Sequence, residues 1–391
     1  MSGLLRPGAH RAAGVADDAA VLAALLRVES AWARALVAAG IATEAEAAQV
    51  AAAAAGVDVD LPALAVASEA AGNPVVPLVA LLRDAAGDAG GAVHRGLTSQ
   101  DVLDTALVLL ARDAVARVRA DLVVAGDALA VLARTHRDDV AVARTLTQWA
   151  VPTTFGLRAA QWLAGVGDAV ARLDGLTFPV QYGGAAGTRA LLADLAGPDA
   201  GHSDRAAPAL ADALGLTATD LPWHTRRAAL TGIGDALTTA TDALGVIAAD
   251  VLLLGRPEVA EVREGAVAGR GGSSTMPHKQ NPVLSVLVGA AARQAPALAG
   301  QLHLAAAGAV DERPDGAWHA EWPALARLLE LAVTTASQAA ELVAGLQVDP
   351  VAMASRVDAA TASGALDTRG ATGEAGRLVD LATTCWEETR G

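Results

Sequence analysis

Lys279 is the only lysine in a chain of 391 residues that carries 28 arginines. Asn occurs twice, at Asn73 and Asn281, and Met three times, at Met1, Met276 and Met353. Three of these scarce residues, Met276, Lys279 and Asn281, fall within six positions of the segment GSSTMPHKQNP at 272–282. Arginine has displaced lysine in this chain wherever a surface charge suffices. A site fitted to a compact ammonium resists that exchange, because the guanidinium is a broad planar fork. Lys279 can supply a point charge, Asn281 an amide N–H and Ser273 a hydroxyl. That set suits chemistry in which negative charge develops on oxygen. The alternative reading is a flexible surface loop.

Other polar residues cluster in connections. Thr98 and Ser99 stand at the start of a long helical segment, where hydroxyls and free amides meet a positive helix end. Plain helix capping is compatible with that position. His94, just upstream in a Gly-rich stretch, can bind a carboxylate or shuttle a proton, or be a solvated loop histidine. His224 follows Pro222-Trp223 and reads as the start of a helix, with Arg227 at i+3 on the same face. Capping or packing explains His224 as well as substrate contact does. His10, His136, His202 and His303 match no motif and read as structural or solvated. The histidines lack paired spacing with carboxylates, so no metal is expected. Gly183, Gly184 and Gly187 lack the strand–turn–helix context of a nucleotide loop, and no cofactor is expected.

The elements that must position these groups are helices. Apolar residues recur at helical spacing over most of the chain, and alternating strand patterns are almost absent. Long helices are expected over residues 17–39, 101–134, 153–173, 225–254, 283–307 and 318–346, with Gly/Pro-rich connections at 87–96, 178–187, 197–202, 263–282 and 311–316. The fold class is all-α, a central bundle of long helices with small flanking helical domains. The expected division is 1–97, a bundle at 98–346 and a short helical end at 347–391. Net charge −14 argues against a nucleic-acid binder. An apolar fraction of 53% excludes a disordered chain. No uninterrupted apolar run of about 18 residues suggests a membrane span. A single cysteine, Cys385, excludes an internal disulfide. No secretory signal is evident, and a cytoplasmic chain is expected.

The loop at 272–282 matches the GSSxMPxKxNP pattern of the fumarase/aspartase superfamily. Two further regions resemble that superfamily in the expected order: HRGLTSQD at 94–101, and Arg144-Thr145-Leu146-Thr147-Gln148 followed by PTTFG at 152–156. The stretches GGAAGT at 183–188, PWHT at 222–225 and Glu312-Arg313 with GAWHAEW at 316–322 resemble the bacterial 3-carboxy-cis,cis-muconate cycloisomerases. The resemblance covers roughly residues 15–360. It implies a homotetramer whose active sites are assembled from three subunits, acting on a small polycarboxylate through an aci-carboxylate. By similarity Ser273 exchanges the carbon-bound proton, with Lys279 and His94 as further catalytic candidates. Thr98, Ser99, Arg144, Thr145, Gln148, His224, Arg227, Ser274, Met276 and Asn281 are the substrate-binding candidates, Arg144 as a carboxylate clamp.

Two departures bear on the reaction. Most of these lyases carry histidine where this chain has Leu146, which cannot transfer a proton. The cycloisomerases also depart from histidine there, typically with tryptophan. Ammonia, amidine or hydroxide leaves only with protonation or strong stabilisation, whereas a carboxylate of pKa about 4 leaves as its anion. That argues against fumarase, aspartase and argininosuccinate lyase activities. The segment after 362 is also shorter than the helical domain of many relatives, which leaves the cover over the site and the substrate open. Three readings follow: a cycloisomerase of aromatic-acid catabolism, the first choice; a β-elimination lyase releasing fumarate and a weakly basic anion such as nitrite; and a non-catalytic helical scaffold. A lone Lys279 kept beside Ser273 and Asn281 disfavours the last.

Overall fold

Asp17 accepts the amide of Ala20 at 2.9 Å and so opens the first long helix, α1 (Asp18–Ala38). The computed structural model describes residues 3–196, 201–276, 278–367 and 372–390. Three short helices follow α1: α2 (Glu44–Gly56), α3 (Leu61–Ala71) and α4 (Val75–Ala86). A 3₁₀ segment (Gly87–Ala92) then leads to α5 (Ser99–Thr135). Strands β1 (Val140–Thr145) and β2 (Gln148–Thr154) form an antiparallel hairpin before α6 (Phe155–Asp174). The chain continues through α7 (Ala190–Ala196), α8 (Gly201–Leu214) and α9 (Ala228–Leu254). The short strand β3 (Val262–Arg263) precedes the loop to α10 (Val283–Ala307), which is followed by α11 (Gly316–Ala344). Then β4 (Gln347–Val348) pairs with β3, and α12 (Pro350–Ala362) and α13 (Ala375–Thr389) complete the described chain.

The all-α expectation holds, with α5, α6, α9, α10 and α11 as the bundle. Helix α10 occupies the expected residues, and the other long helices start or end within a few residues of expectation. The largest shifts have local causes. Thr153 and Thr154 belong to β2, and Thr154 caps α6 by accepting the amide of Leu157. Helix α9 begins at Ala228, so His224 precedes it rather than starting it. Expected connection 197–202 lies partly outside the described residues, as does the side chain of His202.

The hairpin escaped the sequence reading because its turn carries no turn residue. Leu146 and Thr147 both have positive φ, 50° and 74°, the pattern of a two-residue hairpin turn that normally selects Asn-Gly. Its strands are β-branched and short, so they leave only a weak alternation.

Along α5 the residues Val102, Ala106, Leu109, Val118, Leu122, Ala125 and Leu129 are buried, and each large apolar side chain contributes about 1.5–3 kcal/mol. Gly126 lets α13 dock: a Cβ there would lie 2.2 Å from the Trp386 ring. Trp386 and Arg390 both bond Asp127, fastening α13 to α5. Helices α9 and α10 are long and apolar enough to cross a bilayer by length and composition. Here they pack against each other and against α11 inside the bundle.

Candidate active site

At the start of α5, Asp101 is buried and its two oxygens collect four donors. Oδ1 accepts the Gly183 amide at 2.9 Å and His224 Nε2 at 2.7 Å; Oδ2 accepts the amides of Thr98 at 3.0 Å and Gly184 at 2.9 Å. One carboxylate thus ties the helix start, the Gly183-Gly184 loop and the His224 segment together. Gly183 is required by that closeness, since a Cβ would stand 2.7 Å from the His224 ring. Arg313 donates to the hydroxyl of Thr98 and, at 2.9 Å, to the carbonyl of Ala185. His94 lies at the same end, with Nδ1 2.7 Å from Glu29. Ser99 is the first residue of α5 and is half-buried.

Arg227 requires a correction. It neither shares a helical face with His224 nor points outward. It is the N-cap residue of α9, 2% exposed, with ion pairs to Asp104 at 2.7 Å and Glu321 at 2.6 Å. Its guanidinium also sits over the Trp223 ring, 5.0 Å from the centroid. Burial works against its charge, but Asp104 and Glu321 outweigh that and raise its pKa further. Burial pushes the Glu321 carboxyl up, and Arg227 opposes the shift. A fully occupied, sealed guanidinium has no donor left for a substrate, so Arg227 is scaffold. His224 is likewise buried, with Nε2 on Asp101 and Nδ1 without a partner among the described residues.

The other candidates lie beyond the far end of α5. Arg144 on β1 is paired to the buried Glu261 at 2.7 and 3.3 Å, so in this chain the expected clamp closes on the protein's own carboxylate. Thr145 and Gln148 flank the hairpin turn and are exposed; Gln148 donates to the Thr147 hydroxyl. Leu146 at the tip is 95% exposed. The loop before α10 is closed at its neck, where the Gly271 carbonyl accepts both the amide and the side chain of Asn281, at 2.8 and 2.9 Å. Gln280 donates to the Arg270 carbonyl, and Arg270 is ion-paired to Glu341 of α11. Glu264 caps α10 by accepting the amides of Leu284 and Ser285.

Within this loop Ser273 Oγ accepts the amide of Met276 at 3.2 Å, with that of Thr275 at 3.4 Å. Amides aimed at a hydroxyl oxygen favour its anionic form, which is what a serine base needs. Lys279 is exposed and makes no ion pair among the described residues; Ser274 and Met276 are exposed beside it. Pro277 lies outside the described residues.

One chain does not bring the two groups together. Helix α5 has 37 residues, about 55 Å at 1.5 Å per residue. His94, Thr98, Ser99, His224 and Arg227 lie at its start. Arg144, Thr145 and Gln148 follow its end, and the ion pair of Arg144 to Glu261 puts the Ser273–Asn281 loop on that side. Glu29, Glu261 and Glu264, which hold His94, Arg144 and the loop exit, were missed by motif reading. Glu29 left one legible signal: an acid in the apolar stripe of Leu25, Val28, Trp32 and Leu36.

A family model described as lyase matches residues 14–296. A nitrosuccinate lyase of Streptomyces davaonensis is 47% identical over 91% of this chain and 77% of its own length. A 3-carboxy-cis,cis-muconate cycloisomerase of Bradyrhizobium diazoefficiens is 39% identical over 91% and 78%. Among solved structures, the 3-carboxy-cis,cis-muconate lactonizing enzyme of Pseudomonas putida superposes with a TM-score of 0.87 at 31% identity, covering 96% of each chain. A fumarate lyase of Mesorhizobium sp. BNC1 gives 0.84 at 28%, covering 96% of this chain and 97% of that one.

Proposed function

The chain belongs to the fumarase/aspartase superfamily of lyases and is an enzyme of that superfamily, and from this premise we propose that it eliminates nitrite from nitrosuccinate to give fumarate. The observation that carries this reading over cycloisomerisation is the 47% identity to a nitrosuccinate lyase, which reverses the order of preference reached from sequence alone. Leu146, an apolar side chain where a leaving-group acid would otherwise stand, supports departure of an anion in either reading.

In this reading Ser273, made more acidic by the loop amides and Lys279, removes a proton from the carbon beside one substrate carboxylate. The electron pair moves into that carboxylate as an aci-carboxylate, which Lys279 and Asn281 stabilise. It returns to form the double bond as the C–N bond breaks, and nitrite departs as an anion that needs no proton. The products are fumarate, nitrite and the proton held on Ser273. Since the candidates lie at opposite ends of α5, complete sites form where the His94 end of one copy meets the Ser273 end of another, in a homotetramer.

A second reading, cycloisomerisation of 3-carboxy-cis,cis-muconate, is supported by the TM-score of 0.87. There a carboxylate adds to the diene and Ser273 returns the proton. Purified protein incubated separately with each compound decides between them. Equimolar nitrite and fumarate, abolished by Ser273→Ala, are the expected outcome. Loss of diene absorbance without nitrite release would replace the first reading by the second.

A further inference from the structure

Glu29 is a charged residue on the buried face of α1, and its side chain is shut off from solvent. Among the described residues its carboxylate hydrogen-bonds to a single residue. Oε1 lies 2.7 Å from Nδ1 of His94, and Oε2 accepts the His94 backbone amide at 3.0 Å. One residue further along the chain, Trp32 Nε1 donates to the carbonyl of Arg95 at 2.8 Å. Glu29 and Trp32 are i and i+3 on α1, so one helix face grips both sides of the His94–Arg95 peptide. Within that grip His94 has φ 60°, a left-handed conformation that is costly for a residue with a side chain. Such a conformation persists only where its surroundings over-determine it.

The chemistry of the pair fixes the ring. A buried carboxylate is strongly unfavourable unless its oxygens meet donors. The backbone amide serves Oε2, and Nδ1 is the side-chain donor available to Oε1 among the described residues. Nδ1 therefore carries a hydrogen. In the neutral imidazole that leaves Nε2 as the acceptor. Nε2 makes no hydrogen bond among the described residues, and the ring is partly open to solvent.

We propose that Glu29 is a positioning residue that sets the tautomer and orientation of His94, presenting Nε2 toward the substrate as a base or, once protonated, as a donor to a carboxylate. This rests on reading His94 as part of the active site. The carboxylate acts through the imidazole and touches no substrate itself.

Two measurements test it. Wild-type protein with ¹⁵N-labelled histidine, the signal assigned with His94→Gln, reports which ring nitrogen is protonated without any turnover. A protonated Nδ1 is expected; a bare Nδ1 with Nε2–H would overturn the proposal. Glu29→Gln, close in size to the native residue, is then assayed with whichever of nitrosuccinate or the carboxymuconate is turned over. A fall in kcat/KM of about 10²-fold is expected in the wild-type background, and little further loss in the His94→Gln background. Equal losses in both backgrounds would make Glu29 purely structural. The histidine spectrum reads the same whether or not the nitrosuccinate reading survives.

Discussion

Arg144 and Glu261 meet in a two-point ion pair that joins the hairpin to the strand leading into the Ser273 loop. Glu261 is buried, and its carbonyl accepts the Asp349 amide, so the hairpin, the loop stem and the start of α12 share one anchor. A residue that looks from sequence like a substrate clamp thus spends its charge inside the chain.

Arg144→Ala leaves a buried carboxylate unpaired. We expect it to destabilise the fold by about 3 kcal/mol, read as a lower thermal midpoint. Replacing both partners, Arg144→Met with Glu261→Met, should recover most of the loss. A double variant as unstable as the single one would contradict the pairing.

Lys279→Arg keeps the charge but not its compact shape. The expected outcome is an unchanged thermal midpoint with kcat/KM lowered at least about 10²-fold. Near-normal turnover would make Lys279 a bystander.

Leu146→His restores an acid where the departing anion needs none. Nitrite release should not improve, since the anion leaves without a proton and the exposed hairpin tip accepts the imidazole at no packing cost. A gain in kcat with nitrosuccinate would remove the basis for anion departure.

Ser273→Ala and His94→Ala disable opposite ends of the bundle. Each alone should be inactive or severely impaired, and unfolding and refolding them together should restore measurable activity through sites that receive neither substitution. Mixtures as inactive as their parents would place each site within a single chain.

Glu341 on α11 is held by Arg270 from the loop stem and by Arg11 from the N-terminal segment, which lower its pKa below 4.5. The stabilisation is present above the unfolded-state value and lost as pH falls through the folded one. Glu341→Gln should therefore cost stability at pH 7, less than about 1 kcal/mol for so exposed a pair, and the difference should vanish in acid. A difference that stays constant down to the lowest pH at which both proteins remain folded, measured by denaturant titration, would exclude the linkage.

The sequence by itself determined the long helices, the order of the motifs and the Ser273–Asn281 loop. Helical periodicity is local, and the scarcity of Lys, Asn and Met marks Met276, Lys279 and Asn281 without any fold. Tertiary structure alone decided what each charge faces. Arg227 and Arg144 read from sequence as free cations, but Asp104, Glu321 and Glu261 meet them from distant parts of the chain. Asp101 reads as a helix-start acid and proves to be the tie among three segments. The hairpin turn hid because Leu146 and Thr147 adopt positive φ without glycine or asparagine. Local pattern encodes what a residue does to its own helix; the partner of a buried charge is set by packing between segments that the sequence keeps far apart.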